Sequence, residues 1–305
     1  MMTVPDFVTD ITQQDTIYAL TAVNGTLYAG RKSGLYRSED GGLTWVSALT
    51  SLADIDAVTV TAVACQGESV FAGVKGAVLC SHDAGESWTV VGLASPPPNV
   101  TAIAVSPNYA VDGLVIAGTS EDGVFVSIGR GANWVAWNFG LIDAHVFALA
   151  FSPDYATDKL ILAGTETGIF MSKNGGRGWS ELDFPMDAAP VVSLGFAADD
   201  VICAGTEANG LFVSNDKGKH WRSVENPLIS GGVNTILVRN NPAGHISLLL
   251  EDKVVHSVDN GQSWKLSRVQ IADDKMPMTM SQHPIEATTL VLGFADGDLI
   301  KADLI

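Results

Sequence analysis

Acidic side chains recur after short apolar runs that end in Gly-Thr or a close equivalent. Ala-Gly-Thr stands at 117–119, 163–165 and 204–206, and Glu121, Asp122, Glu166 and Glu207 follow it. Glu251, Asp252, Asp296 and Asp298 follow comparable runs further on. Two carboxylates held about 5–10 Å apart, one with a raised pKa, would support glycoside hydrolysis. Glu121, Glu166, Glu207, Asp252 and Asp296 are the candidates for that role. A ring of carboxylates could instead bind a cation, a basic peptide or a sugar. The equivalent positions earlier in the chain are basic, with Arg31, Lys32 and Lys75. Other acids stand between the apolar units: Asp54, Asp56, Asp143, Asp183, Asp187, Asp273 and Asp274, with His145 beside Asp143. The binding candidates are therefore Arg31, Lys32, Lys75, Glu121, Asp122, Asp143, His145, Glu166, Glu207, Asp252 and Asp296. The acidic segments also have an ordinary structural reading, because Thr suits a strand end and Gly supplies the turn.

Other chemistry lacks its residues. No HExxH, GxSxG, P-loop or GxGxxG occurs. His82, His145, His220, His245, His256 and His283 are scattered, and no CxxC is present, so neither a metal site nor a cofactor is expected. Cys65, Cys80 and Cys203 fall in apolar runs and read as free, buried thiols.

The elements that must carry these residues are set by an octapeptide. Ser38 to Trp45 reads SEDGGLTW, and related segments begin at Ser81, Ser127, Ser172, Ser214 and Ser257. The steps of 43, 46, 45, 42 and 43 residues mark a repeat architecture. Each copy lies between apolar runs, which reads as strand, turn, strand. The acid or amide (Asp40, Asp83, Asn174, Asp216, Asp259) can accept backbone N–H groups of its own turn. The fifth-position glycine suits a positive φ. The tryptophan (Trp45, Trp88, Trp134, Trp179, Trp221, Trp264) should lock the hairpin against its sheet. The third copy has Gly129 where the acid belongs, so that turn should be the loosest.

This octapeptide resembles the Asp box, or BNR repeat, of sialidases, xyloglucan hydrolases, sortilin-type receptors and a photosystem II assembly factor. The resemblance covers nearly the whole chain and implies a β-propeller. It implies no single function, because those families act differently on one fold. Sialidases clamp a substrate carboxylate with three arginines after an Arg-Ile-Pro signature. Here there is no Arg-Ile-Pro, and Arg130 and Arg177 lie inside octapeptides. The xyloglucan hydrolases face two propellers across a cleft, where this chain has residues for one. The photosystem II factor carries a leader and a basic patch that are not seen here.

Seven apolar runs can open a repeat: 17–23, 60–65, 100–105, 146–151, 191–196, 233–238 and 278–281. In four of them small residues alternate with larger ones, as at Ala62 and Ala64, which fits a crowded centre. A second run follows each. The fold expected is all-β, a single seven-bladed propeller of four-stranded antiparallel blades over 1–305. The blades fall near 13–55, 56–95, 96–140, 141–186, 187–228, 229–270 and 271–305. The last blade should be completed by an N-terminal strand at 5–12, which removes an open sheet edge. Six blades with an irregular tail is the alternative.

Alternating strand direction then fixes two rims. Octapeptide turns share one with the turns between first and second strands. The acidic turns share the other with the crossovers between blades, and that rim is the expected site. A net charge of −17 disfavours nucleic acid and anionic lipid. No apolar stretch is long enough to cross a membrane as a helix. The N-terminus lacks the features of a signal peptide, and with the odd cysteine count this points to a cytoplasmic location. The function expected is a non-catalytic binding or assembly scaffold for a protein or carbohydrate ligand. The alternative is a carbohydrate-active enzyme using paired carboxylates.

Overall fold

The computed structural model describes residues 15–52, 58–239 and 244–304. They form seven antiparallel sheets, six of four strands and a seventh in which three are described. In each sheet the strands lie side by side in chain order, from an inner strand outward. The inner strands are Ile17–Val23, Ala62–Gln66, Val100–Val105, Val146–Phe151, Val191–Phe196, Val233–Arg239 and Pro277–Gln282. Each packs on the next, and that of blade seven packs on that of blade one. The sheets therefore close into a seven-bladed propeller, and the six-bladed alternative is excluded. Closure is carried by described residues, including Thr16 Oγ1 donating to the Ala295 carbonyl at 2.7 Å. The N-terminal strand expected at 5–12 lies outside the described residues.

The ring is held by a size rule. Gly30, Gly73, Gly118, Gly164, Gly205 and Gly293 occupy one register of the second strand, each opposite a small inner-strand residue such as Ala62, Ala102 or Ala148. A β-carbon at Gly118 would lie 2.6 Å from Val146 Cγ1, and one at Gly293 would lie 2.7 Å from Ile17 Cγ2. The glycine is the slot into which the next blade's β-branched residue fits. In blade six Leu249 holds the position, and the following blade begins with Pro277. Apolar clusters fill the space between neighbouring blades, as where Ile116 and Val126 meet Val146, Ile161 and Phe170. Each fully buried side chain of this kind contributes about 1.5–3 kcal/mol.

The octapeptide turns form as the sequence requires. In the first, Asp40 Oδ1 accepts the N–H groups of Leu43 (3.0 Å) and Thr44 (2.9 Å) and the Ser38 hydroxyl (2.8 Å). Ser38 Oγ in turn accepts the Gly42 N–H at 2.8 Å. The fifth-position glycine has positive φ in all six copies, from +81° at Gly261 to +93° at Gly42. The fourth position is also left-handed, even where it is Ala84, Arg130, Lys217 or Asn260. The tryptophans reach further than expected. Trp88 Nε1 donates to the Ala48 carbonyl of the preceding blade at 2.8 Å, and Trp179 Nε1 to the Trp137 carbonyl at 2.9 Å. These two clamp neighbouring blades as well as their own hairpins. The outer strands that follow are only two residues long in five of the sheets, which blunts the exposed edge.

Among the described residues, helix is limited to single turns, Tyr109–Asp112 and Tyr155–Asp158, with a short 3-10 turn at Met186–Ala188. Tyr109 and Tyr155 are buried beneath the two α-turns. The three cysteines are free; Cys80 and Cys203 are buried and Cys65 is half-buried. Burial pushes the thiols of Cys80 and Cys203 up to about 12 and that of Cys65 up to about 11. They stay protonated and unreactive at neutral pH.

Candidate ligand-binding mouth

A backbone irregularity recurs where the inner strands leave the crossover rim. Pairing with the second strand skips one residue, so Tyr18, Thr101, Phe147, Val192, Asn234 and Met278 are bulged, and Thr61 occupies the matching place in blade two. A bulge re-aims its side chain, and bulges concentrate near functional sites. Several of the seven tie one blade to the next. Thr61 and Thr101 donate to the Val100 and Val146 carbonyls, and Asn234 Nδ2 donates to the Pro277 carbonyl at 3.1 Å. Tyr18, Phe147 and Met278 carry no such bond among the described residues and supply large, mostly apolar surfaces.

These three side chains, with Val58 and Val100, line a cavity of about 810 Å³ at the mouth of the central channel. Thr59, Thr61, Asn99, Thr101 and Lys75 give it a polar margin. A second cavity of about 260 Å³ lies along the axis, touched by residues of all seven inner-strand segments, among them the small Ala19, Ala62, Ala102, Ala148 and Ser193. The small-residue alternation thus lies where the sheets converge. The bulge ring was not foreseen from the sequence. Its signal is a β-branched or apolar residue, one bulged residue and then a small residue, as in Val100-Thr101-Ala102 and Val146-Phe147-Ala148.

The hydrogen bonding places the crossovers and the acidic turns on one rim. Glu207 N–H donates to the Pro190 carbonyl (3.0 Å), Gly123 N–H to that of Ala144 (3.0 Å), and Glu166 N–H to that of His145 (3.2 Å). Glu121, Asp122, Glu166, Glu207, Asp252 and Asp296 are all exposed there. They stand on five separate turns, and none lines the mouth cavity. Asp252 pairs with Lys253 at 3.3 Å, and Asp296 shares Lys275 with Asp298. Partial burial pushes the Asp296 carboxyl up, but hydrogen bonds from Lys275 and the Asp298 N–H outweigh it, and its pKa falls below the ordinary value. No pair of the five candidate acids is brought together by a bond among the described residues.

Of the basic candidates, Lys75 lines the mouth and Lys32 is exposed. Arg31 is turned inward and only 3% exposed. It lies 3.8 Å from Asp15, with its guanidinium 5.4 Å from the ring centres of Tyr36 and Trp45, so it serves the seam between blades. Asp143 is also buried and is drawn to Glu166 through His145. His145 Nδ1 lies 3.1 Å from Asp143 Oδ1 and 3.3 Å from Glu166 Oε2. Burial pushes the Asp143 carboxyl up, but the N–H groups of His145 and Thr167 and the Thr167 hydroxyl outweigh it, and its pKa falls below the ordinary value.

Comparison with known proteins agrees with the architecture. No family model and no curated protein matches the sequence. Among solved structures, the chain is similar to YCF48 bound to D1 peptide, with 16% identity, TM-score 0.73, and 99% of this chain and 98% of that one covered. It is also similar to YCF48 from Cyanidioschyzon merolae, with 15% identity, TM-score 0.68, and 95% and 96% covered. A GH74 xyloglucanase from Xanthomonas campestris matches at 16% identity and TM-score 0.74 over 96% of this chain, which spans about half (52%) of that enzyme. At these identities the likeness defines the class of protein by fold, a seven-bladed β-propeller.

Proposed function

We propose that this protein is a non-catalytic binding scaffold that seats a segment of a partner protein in the mouth of its crossover rim. The observation that carries this reading is the bulge-built mouth, where Tyr18, Phe147 and Met278 line about 810 Å³ beside Lys75. Natural ligand pockets are of this size and have a mainly apolar lining with a few polar groups. An apolar lining favours a peptide side chain over a glycan. A similar propeller holds a peptide in its solved structure, which is consistent with this use of the fold. We take the octapeptides to be Asp boxes with a structural role. The hydrolase reading is weaker. It needs two carboxyls across one pocket, one of them kept protonated. The five candidates stand apart, and Asp296 is shifted toward ionisation.

The test pairs a peptide array with a panel of chromogenic glycosides. Array peptides carrying a central aliphatic or aromatic residue should bind, and Phe147→Asp should weaken binding more than tenfold with the fold intact by circular dichroism. No glycoside should be turned over. Turnover that disappears in Glu166→Gln or Glu207→Gln would replace the scaffold reading with the hydrolase.

A further inference from the structure

We propose that Asp143, His145 and Glu166 form a site for one divalent transition-metal ion of the zinc class, on the crossover between blades three and four. One ligand atom from each of the three side chains lies within 4.8 Å of the other two. Metal–ligand bonds of about 2.0–2.2 Å place two ligands on one ion about 3.0–3.4 Å apart at octahedral or tetrahedral angles. The two separations from the ring nitrogen, 3.1 and 3.3 Å, fall in that range.

Hydrogen bonding explains only part of this convergence. Nδ1 can donate a single hydrogen. Asp143 Oδ1 has the geometry to take it, whereas Glu166 Oε2 makes no hydrogen bond among the described residues despite its 3.3 Å approach. Two carboxylate oxygens therefore approach one ring nitrogen, and only one of them can share its hydrogen.

The ligands are also held by groups outside the triad. Asp143 is only 7% exposed, and its far oxygen accepts the Thr167 N–H (2.8 Å) and hydroxyl (2.9 Å). Glu166 N–H donates to the His145 carbonyl at 3.2 Å, which pins the acidic turn to the crossover. Such outer contacts orient metal ligands before the ion arrives. The side chains of His145 and Glu166 are 48% and 57% exposed, so an ion can enter and keep water in its remaining positions. One imidazole and two carboxylates suit Zn²⁺ or Co²⁺, while Ca²⁺ and Mg²⁺ prefer all-oxygen shells.

The full-length protein, stripped with EDTA and desalted, should bind one Zn²⁺ per chain by titration calorimetry. Co²⁺ should give visible absorption bands at the same stoichiometry. Glu166→Gln, a change on an exposed turn, and His145→Ala should each weaken Zn²⁺ binding by ~100-fold or more. Thr167→Val should weaken it about tenfold, as the loss of an outer contact does. His220→Ala, which removes a separate exposed histidine paired with Asp216, should change nothing. Absence of saturable one-to-one binding overturns the site. So does Zn²⁺ affinity unchanged in both Glu166→Gln and His145→Ala, and so does a preference for Ca²⁺ or Mg²⁺.

Discussion

The two rims of the propeller use similar side chains for opposite ends. On the octapeptide rim, Asp259 is engaged by its own turn, accepting the N–H groups of Gln262 and Ser263 and the hydroxyls of Ser257 and Ser263. On the crossover rim, Glu121 and Glu207 project into solvent, Asp252 pairs with Lys253, and Asp296 pairs with Lys275 and accepts the Asp298 N–H. The difference follows the period. Residues that repeat in six of the blades satisfy one another locally and build the fold. Residues that vary from blade to blade lie around the mouth, where a ligand can meet a different set on each side.

Truncation of a buried clamp should separate the two rims most sharply. Trp88→Ala removes a side chain that is 9% exposed and two carbonyl contacts, and should cost about 3–5 kcal/mol in urea unfolding. Phe147→Ala, at the half-buried mouth, should cost much less. Equal losses would make the mouth a structural element and remove the distinction between the rims. Ser81→Ala comes next. It leaves the Gly85 N–H, 2.8 Å from Ser81 Oγ, without an acceptor in a buried turn, at a cost of about 1–3 kcal/mol.

Acid should act through the octapeptide rim first. Hydrogen bonds from the side chains and N–H groups of Ser87 and Ser263 hold the Asp83 and Asp259 carboxyls at about 2, below the ordinary 3.8. A folded-state pKa below the unfolded one gives stability that is full above about 3.8 and is lost as pH falls toward 2. The urea midpoint should therefore drop between pH 4 and pH 2, and Asp83→Asn should flatten that drop. An unchanged slope in the variant would show that other groups govern acid unfolding.

Much of the fold was legible because its parts are local. The octapeptide is eight contiguous residues whose hydrogen bonds close on themselves, so its six copies announced the blades. Both seven-membered sets of strands were readable from apolar runs. The size rule was visible only as a recurring Ala-Gly-Thr, because its partner is the first residue of the next inner strand, more than twenty residues on. The mouth was less legible for the same reason. Tyr18 and Met278 are 260 positions apart, and only closure of the ring brings them to one cavity. Arg31 looked like a surface cation because its partner Asp15 lies outside its own turn. Asp143, His145 and Glu166 were each singled out, but their convergence depends on the pinning of a turn to a crossover that single-residue patterns do not encode.

The smallest effect tests the weakest copy of the octapeptide. In blade three, Gly129 stands where the other turns have Asp or Asn, and the turn keeps only the serine half of its bonding. Ser127 Oγ accepts the Gly131 N–H at 2.9 Å, and Gly129 O accepts the Ala132 N–H at 3.1 Å. Arg130 compensates from outside, donating to the Ala110 carbonyl at 2.9 Å and lying 5.2 Å from the Tyr109 ring centre. The backbone at Gly129 does not require positive φ, so a side chain fits there. Gly129→Asp should supply a carboxylate acceptor for the Asn133 N–H, as Asp83 does for the Ser87 N–H, and stabilise the protein by about 0.5–1 kcal/mol. The gain should fade below pH 4 as the new carboxylate is protonated, joining the acid profile of the four turns built on Asp40, Asp83, Asp216 and Asp259. A neutral or destabilising result at pH 7 would mean that the Arg130 contacts already hold this turn as firmly as the Asp and Asn side chains hold the rest.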